Sequence, residues 1–140
     1  TDILGSMEFA CKLAGSKLIV VLGHTKCGAV KGACDHVEMG NLTELLSKIQ
    51  PAVYQEKTTK SDRTSKNPGF VENVSTINVK RTVKSIIERS FILEQMVENG
   101  TIGVVGAMHD IETGKVTFYT DVMYIKDDKN PKFSVADLRH

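Results

Sequence analysis

The sequence has no large excess of either charge, few cysteines and no long hydrophobic run. Its 18 basic and 17 acidic side chains give a formal net charge of +1, so it has neither the basic surface of a nucleic-acid-binding protein nor an acidic tail. No apolar stretch approaches the roughly 18 residues that a membrane-spanning helix needs. We therefore expect a soluble protein that binds neither nucleic acid nor membranes.

The three cysteines argue against a disulfide-based scaffold. Their number is odd, and no secretory signal is recognisable in the sequence, so we expect a reducing, cytoplasmic location. The 140 residues are 41% hydrophobic and contain no internal repeat or low-complexity tract. A chain of this size can bury a core of its own. We therefore expect residues 1–140 to form a single domain.

One stretch places a histidine and a cysteine where a buried strand turns into a helix. Residues 18–22 are short, apolar and mostly β-branched, as expected for a strand of a parallel sheet that is covered on both faces. Gly23 ends the run, and Gly28 permits a tight turn into a helix. His24 and Cys27 should then project from one loop at the carboxyl end of the strand, where open α/β sheets usually keep their ligand sites.

The rest of the chain predicts helices followed by a hairpin. Helical spacing of apolar residues is found over residues 2–14, from 29 toward 39, from 41 to 49, over 70–90 and over 91–99. Residues 102–108 predict a second strand, and the turn at 112–115 leads into a third at 116–119. Residues 56–69 are polar without periodicity and predict a surface loop, and residues 126–140 a charged C-terminal tail. This order predicts an α/β fold.

The spacing of His24 and Cys27 suits a metal, although the pair is weak evidence alone. Thiolate and imidazole are common zinc ligands, but histidine and cysteine are also common packing residues. A catalytic zinc site has three protein ligands and an open position, so a third ligand is needed. The other candidates are Cys11, Cys34, His36 and His109. None stands out, since Cys34 and His36 lie further along the predicted helix, facing away from its first turn.

Three segments resemble the β-class carbonic anhydrases: residues 4–10, residues 18–30 and residues 106–118. The G-H-x-x-C-G-A-V run at 23–30 is the most specific, and the resemblance extends from the first residue to about Tyr119. It implies a zinc enzyme that interconverts CO₂ and bicarbonate, with a mostly parallel sheet flanked by helices and assembly into dimers or their multiples. It also implies that His24 and Cys27 are zinc ligands and that the backbone N–H of Gly28 faces bicarbonate.

The chain departs from this family in one respect. The family's third zinc ligand is the cysteine of a C-x-D-S-R motif, which this sequence lacks together with its Asp–Arg pair. No catalytic side chain can therefore be assigned. The resemblance implies that the missing first strand is central, between residues 18–22 and 102–108. Either these two strands pair directly, or another copy of the chain fills the gap, or the sequence is part of a longer protein.

Two functional hypotheses follow. The first is a zinc-dependent carbonic anhydrase whose third ligand comes from residues outside this sequence. The second is a truncated, inactive homologue that keeps the scaffold and the dimer surface but binds zinc weakly or not at all. A complete structural zinc site contributes on the order of 10–16 kcal/mol, so loss of one ligand should weaken metal binding strongly.

Overall fold

The computed structural model describes residues 1–126, so all but the first residue of the predicted tail at 126–140 lies outside the described part. The elements are α1 (Asp2–Glu8), a π-helical turn (Phe9–Leu13), β1 (Leu18–His24), α2 (Gly28–Cys34), α3 (Gly40–Ser47), α4 (Gln50–Gln55), α5 (Pro68–Arg89), α6 (Phe91–Glu98), β2 (Gly103–His109) and β3 (Val116–Tyr124). The α/β class is confirmed. Among the described residues, no helix is both long enough and apolar enough to cross a membrane.

The three strands form one sheet in the order β1, β2, β3. The N–H of Gly103 donates to the carbonyl oxygen of Lys17, and the N–H of Thr25 donates to that of His109, so β1 and β2 run parallel. A tight turn connects β2 to the antiparallel β3, as predicted. β1 and β2 pair directly, which is the first of the three alternatives for a chain without the family's first strand. Within residues 1–126, no strand pairs with the other edge of β1.

The chain divides into two compact units, each with its own core. The first contains Thr1–Leu22, Thr82–Ala107 and the described residues from Thr117 onward. Its buried side chains come from the π-helical turn, α5, α6, the residue before β2, β2 and β3: Cys11, Val83, Ile86, Ile87, Leu93, Met96, Val97, Ile102, Val104, Val122 and Tyr124. Ile19 and Val21 of β1 pack against this core, whereas Leu18, Val20 and Leu22 are 50%, 41% and 52% exposed. The strand therefore buries only one of its faces within the unit.

The second unit contains Gly23–Arg81 and Met108–Val116. Its core joins α2, α3, α4 and the first turns of α5 through the side chains of Val30, Ala33, Cys34, Leu46, Ala52, Val53, Phe70, Val71 and Val74. Most of the sheet therefore belongs to the first unit, and the loop that follows β1 belongs to the second. The prediction of a single domain is not tested by this division.

The segment between α4 and α5 has no regular secondary structure, yet polar contacts hold it in place. It runs over residues 56–67 rather than 56–69, since α5 begins at Pro68. Arg63 donates to the carbonyl oxygens of Val53 and Thr59, both at 2.9 Å, and its guanidinium lies 4.6 Å from the centre of the Phe70 ring, close enough for a cation–π contact. Near the other end, Ser65 donates its N–H and its hydroxyl to Asp35.

Candidate functional site

His24 and Cys27 lie at the turn from β1 into α2, where the sequence placed them. His24 is the last residue of β1 and is exposed. Cys27 is half-buried and is the N-cap residue of α2, with extended backbone angles. The β-branched run forms the strand, and Gly28 starts the helix. An imidazole and a thiol, separated by two residues, therefore lie on one accessible turn.

The His24 ring has a defined hydrogen-bonding role. Its Nδ1 lies 2.9 Å from the carbonyl oxygen of Thr25. Because a carbonyl oxygen can only accept, Nδ1 carries the hydrogen, and the lone pair of the neutral ring is on Nε2. Metal-binding histidines commonly use their second nitrogen in this way, which fixes the tautomer and the ring orientation. The ring is thus prepared to bind a cation through Nε2.

The two residues between His24 and Cys27 tie the turn to the connection between β2 and β3. The hydroxyl oxygen of Thr25 accepts from the N–H of Ile111 at 3.1 Å. Lys26 has a φ of 56°, a left-handed conformation that is uncommon for residues other than glycine. Its ammonium forms an ion pair with the Glu112 carboxylate, which raises the pKa of Lys26. These contacts hold the turn in one geometry.

Asp110 stabilises the turn between β2 and β3 by accepting hydrogen bonds from its backbone. One of its carboxylate oxygens accepts from the N–H groups of Glu112 and Thr113 at 2.9 and 3.4 Å, and the first of these bonds is the main reason why the pKa of Asp110 is lowered. Gly114 has a φ of 78°, which glycine adopts without steric strain. The hairpin turn therefore presents Glu112 to Lys26.

Sequence analysis missed this anchoring by Thr25, Lys26 and Glu112. The only signal in the sequence is that Glu112 belongs to the segment at 106–118, one of the three that resemble the family. However, Lys26 and Glu112 are 86 positions apart, and no local pattern indicates that they meet.

Gly28, the predicted bicarbonate contact, is exposed at the first position of α2. A Cβ atom built there would have no atom of the described residues within 4 Å. Packing of the described residues therefore does not require glycine at this position. Its role toward bicarbonate remains a prediction.

Neither of the other cysteines is suited to be the third donor. Burial, with a smaller contribution from the Asp35 carboxylate, raises the pKa of the Cys34 thiol to about 11, and Cys34 belongs to the apolar core of the second unit. Burial also raises the pKa of Cys11, which lies in the core of the first unit. Because the thiolate is the form that binds metals, both cysteines are better explained as packing residues.

The two remaining candidates are histidines in other surroundings. His36 Nδ1 lies 3.1 Å from Gln50 Nε2, and its ring lies 6.4 Å from that of Tyr54. His109 ends β2, where its carbonyl oxygen accepts from Thr25. Over residues 1–126, no three or more His, Cys, Asp or Glu side chains are grouped so as to hold a metal ion. The pair fits zinc in donor type but not in donor number.

The fold and the site together define an α/β protein with a three-stranded mixed sheet and a histidine–cysteine turn at the end of its first strand. Residues 1–116 match the family described as Carbonic anhydrase, and this match covers well over half of the chain. The chain belongs to the carbonic anhydrase family.

Related proteins agree with this assignment. The chain is 27% identical over 118 residues to Carbonic anhydrase 2 of Mycobacterium tuberculosis (strain CDC 1551 / Oshkosh), an overlap of 81% of this chain and 54% of that protein. The chain thus spans about half the length of the curated relatives it matches.

Solved structures show the same fold. A Coccomyxa β-carbonic anhydrase in complex with acetazolamide has a TM-score of 0.74 at 18% identity, over 97% of this chain and 61% of that one. One of two tetrameric β-carbonic anhydrases from Sordaria macrospora has a TM-score of 0.69 at 24% identity, over 85% of this chain and 60% of that one. At these identities the likeness shows the fold, which is that of the β-carbonic anhydrases.

Proposed function

We propose that this chain is a zinc-dependent carbonic anhydrase that reversibly hydrates CO₂ to bicarbonate and a proton. The observation that carries the proposal is the His24–Cys27 turn within a chain of this family. Nε2 of His24 is available for a cation, and the thiol of Cys27 is half-buried on the same turn. The proposal requires a third zinc ligand, because none is grouped with this pair among residues 1–126. For the 140-residue chain to be active, residues 127–140 or a second copy of the chain must supply this ligand.

We also propose that the chain acts as a homodimer or a larger homo-oligomer. Leu18, Val20 and Leu22 leave an apolar stripe exposed on β1, and one edge of this strand is unpaired within the described residues. Exposed apolar strands of this kind favour association with another chain. The Sordaria macrospora relatives with this fold are described as tetrameric, which agrees with such an assembly.

The alternative is a homologue that keeps the fold without the chemistry. One observation favours it: the described residues provide two donors where a catalytic zinc site has three. In that case zinc would bind weakly or not at all, and no hydration activity would be found, whereas folding and association would persist.

Activity measurements on zinc-supplemented protein test the proposal. We expect the 140-residue chain to accelerate CO₂ hydration in a stopped-flow assay with a pH indicator. His24→Ala and Cys27→Ser should each reduce the rate to that of the buffer. His36→Asn is the matched control, since His36 is exposed with a φ of 54°, and asparagine tolerates that conformation. A wild-type rate equal to that of the buffer would overturn the proposal and favour the inactive homologue.

A further inference from the structure

A cavity of about 320 Å³ lies in the second unit, and its lining residues do not include the His24–Cys27 pair. Pro68 and Val71 of α5 and Met108 of β2 form its apolar part. Val71 and Met108 are only 4% and 8% exposed. Cavities of this volume hold small molecules, and the combination of an apolar wall with charged groups restricts which molecule would fit.

One side of the cavity carries an uncompensated positive charge. Lys31 of α2 lines the cavity and is half-buried. In the described part of the chain, no carboxylate lies within 4.0 Å of its ammonium and no hydrogen bond to it is found. A carboxylate on a bound molecule would pair with it.

Negatively charged carboxylates also line the cavity. Glu72 of α5 lines the cavity, and no partner for its carboxylate is found among residues 1–126. Asp110 uses one oxygen for the backbone of the hairpin turn and keeps the other. Lys26 and Glu112, which also line the cavity, neutralise each other. Asp110 also interacts electrostatically with Lys26. The charges without an ion pair within 4.0 Å among the described residues are thus the Lys31 ammonium and the carboxylates of Glu72 and Asp110.

We propose that this cavity binds a small zwitterion, namely an α-amino acid with a compact aliphatic side chain. Its carboxylate would pair with Lys31, its ammonium with Glu72 and Asp110, and its side chain would contact Val71 and Met108. A simple acid would leave the two carboxylates unpaired, and a simple amine would leave Lys31 unpaired. Thr25 and Lys26, which lie between His24 and Cys27, line the cavity, but the proposed contacts use neither His24 nor Cys27 and need no metal. Binding can therefore be tested separately from the proposed carbonic anhydrase activity.

Binding to the zinc-free 140-residue chain tests this inference. The probes are leucine, 4-methylpentanoate, which lacks the ammonium, and 3-methylbutylamine, which lacks the carboxylate. The Met108 methyl resonance reports occupancy of the cavity by NMR. We expect leucine to bind with a dissociation constant on the order of a millimolar, as is usual for a ligand of this size. Each analogue should bind at least about tenfold more weakly, which corresponds to about 1.4 kcal/mol.

Two variants test separately the residues proposed to bind the ligand's carboxylate and its ammonium. Lys31→Met should abolish the preference for leucine over the amine, and Glu72→Gln should reduce the preference for leucine over the acid. Glu72 is exposed, so its variant should fold even if the Lys31 variant does not. Lys48→Met, an exposed position outside the cavity, should bind leucine like the wild type. Equal affinity for leucine and both analogues, an unmoved Met108 signal, or unchanged selectivity in folded Lys31→Met and Glu72→Gln would overturn the inference.

Discussion

At the scale of single residues, Glu56 has the most unusual surroundings. Its side chain is 2% exposed, and its carboxylate accepts from the N–H groups of Thr58 and Thr59 at 2.6 and 3.0 Å and from the Thr59 hydroxyl at 2.5 Å. Burial by itself would raise the pKa of Glu56, but hydrogen bonds from Thr59, Asn73 and Thr58 outweigh it and lower the pKa from 4.5 to about 2. The ionised form therefore holds the start of the segment at 56–67.

Replacing this carboxylate should destabilise the protein. In Glu56→Gln the side-chain NH₂ would face backbone donors, and we expect the free energy of unfolding at pH 7 to fall by about 1–3 kcal/mol. Urea denaturation measures the change. Glu44→Gln is the control, because Glu44 is exposed on α3, and its stability should stay within about 0.5 kcal/mol of the wild type.

The same carboxylate predicts a dependence on pH. Because the pKa of Glu56 is lower in the folded chain than its ordinary value, its contribution is complete above about pH 4.5 and is lost as the pH falls toward about 2. The stability difference between wild type and Glu56→Gln should therefore shrink over this range in urea denaturation at a series of pH values. A difference that stays constant from pH 7 to pH 3 would contradict this account of Glu56.

Gly23 has very little space for a side chain. A Cβ atom there would lie 2.7 Å from Cγ2 of Val79 and 3.0 Å from Cε of Met108, and valine has little rotamer freedom to move away. Gly23→Ala should cost about 1–3 kcal/mol of unfolding free energy, measured by urea denaturation. Gly5→Ala in α1, where no atom of residues 1–126 lies within 4 Å of a built Cβ, should be neutral or stabilising. If both variants were equally stable, the crowding at Gly23 would not contribute to the free energy of unfolding.

At the scale of elements, Ser90 separates α5 from α6. Its side chain accepts from the N–H of Leu93 at 3.1 Å and donates to Glu8 of α1 at 2.6 Å, so one hydroxyl caps α6 and links it to α1. Ser90→Ala should lower the unfolding free energy by about 1–2 kcal/mol, as thermal and urea denaturation would measure. Ser61→Ala, at an exposed position, is the control and should unfold like the wild type. Unchanged stability in Ser90→Ala would contradict the capping role.

The exposed stripe on β1 leads to a prediction about association. Val20 is 41% exposed at the centre of this strand, so lysine there should cost little stability but should hinder contact with another chain. Sedimentation velocity should show Val20→Lys as a smaller species than the wild type. Tyr54→Lys, which replaces a side chain that is 65% exposed on α4, controls for the added charge. An unchanged size distribution for Val20→Lys would place the association surface elsewhere.

At the scale of the whole molecule, the fold class, the three strands and the long helix could be predicted because each depends on local periodicity. The fixed conformation of the segment at 56–67 could not be predicted, since it depends on a contact between Asp35 and Ser65, which are 30 positions apart. Nor could the apolar spacing at residues 41–49 indicate that Leu42 and Leu45 are exposed while Leu46 is buried, because spacing identifies one face of a helix but not what covers it. The direct pairing of β1 with β2 was one of several alternatives.

Part of the candidate site could also be predicted from the sequence, because it depends on residues that are close together in the chain. The strand, the glycines and the His24–Cys27 spacing are all local, so their positions followed from the sequence. The anchoring of Lys26 by Glu112 and the lack of a third donor within residues 1–126 depend on the tertiary structure. The roles of His24, Cys27 and Gly28 in zinc and bicarbonate binding stay predictions.

The central claim is that His24 and Cys27 hold zinc together, and zinc affinity tests it most directly. Competition against a chromophoric chelator would be measured for the 140-residue wild type, His24→Ala, Cys27→Ser and the control His36→Asn. We expect saturable zinc binding that either site variant weakens by at least about 100-fold and that His36→Asn leaves unchanged. Zinc binding that survives loss of both donors, or a wild type that binds no zinc, would contradict the claim.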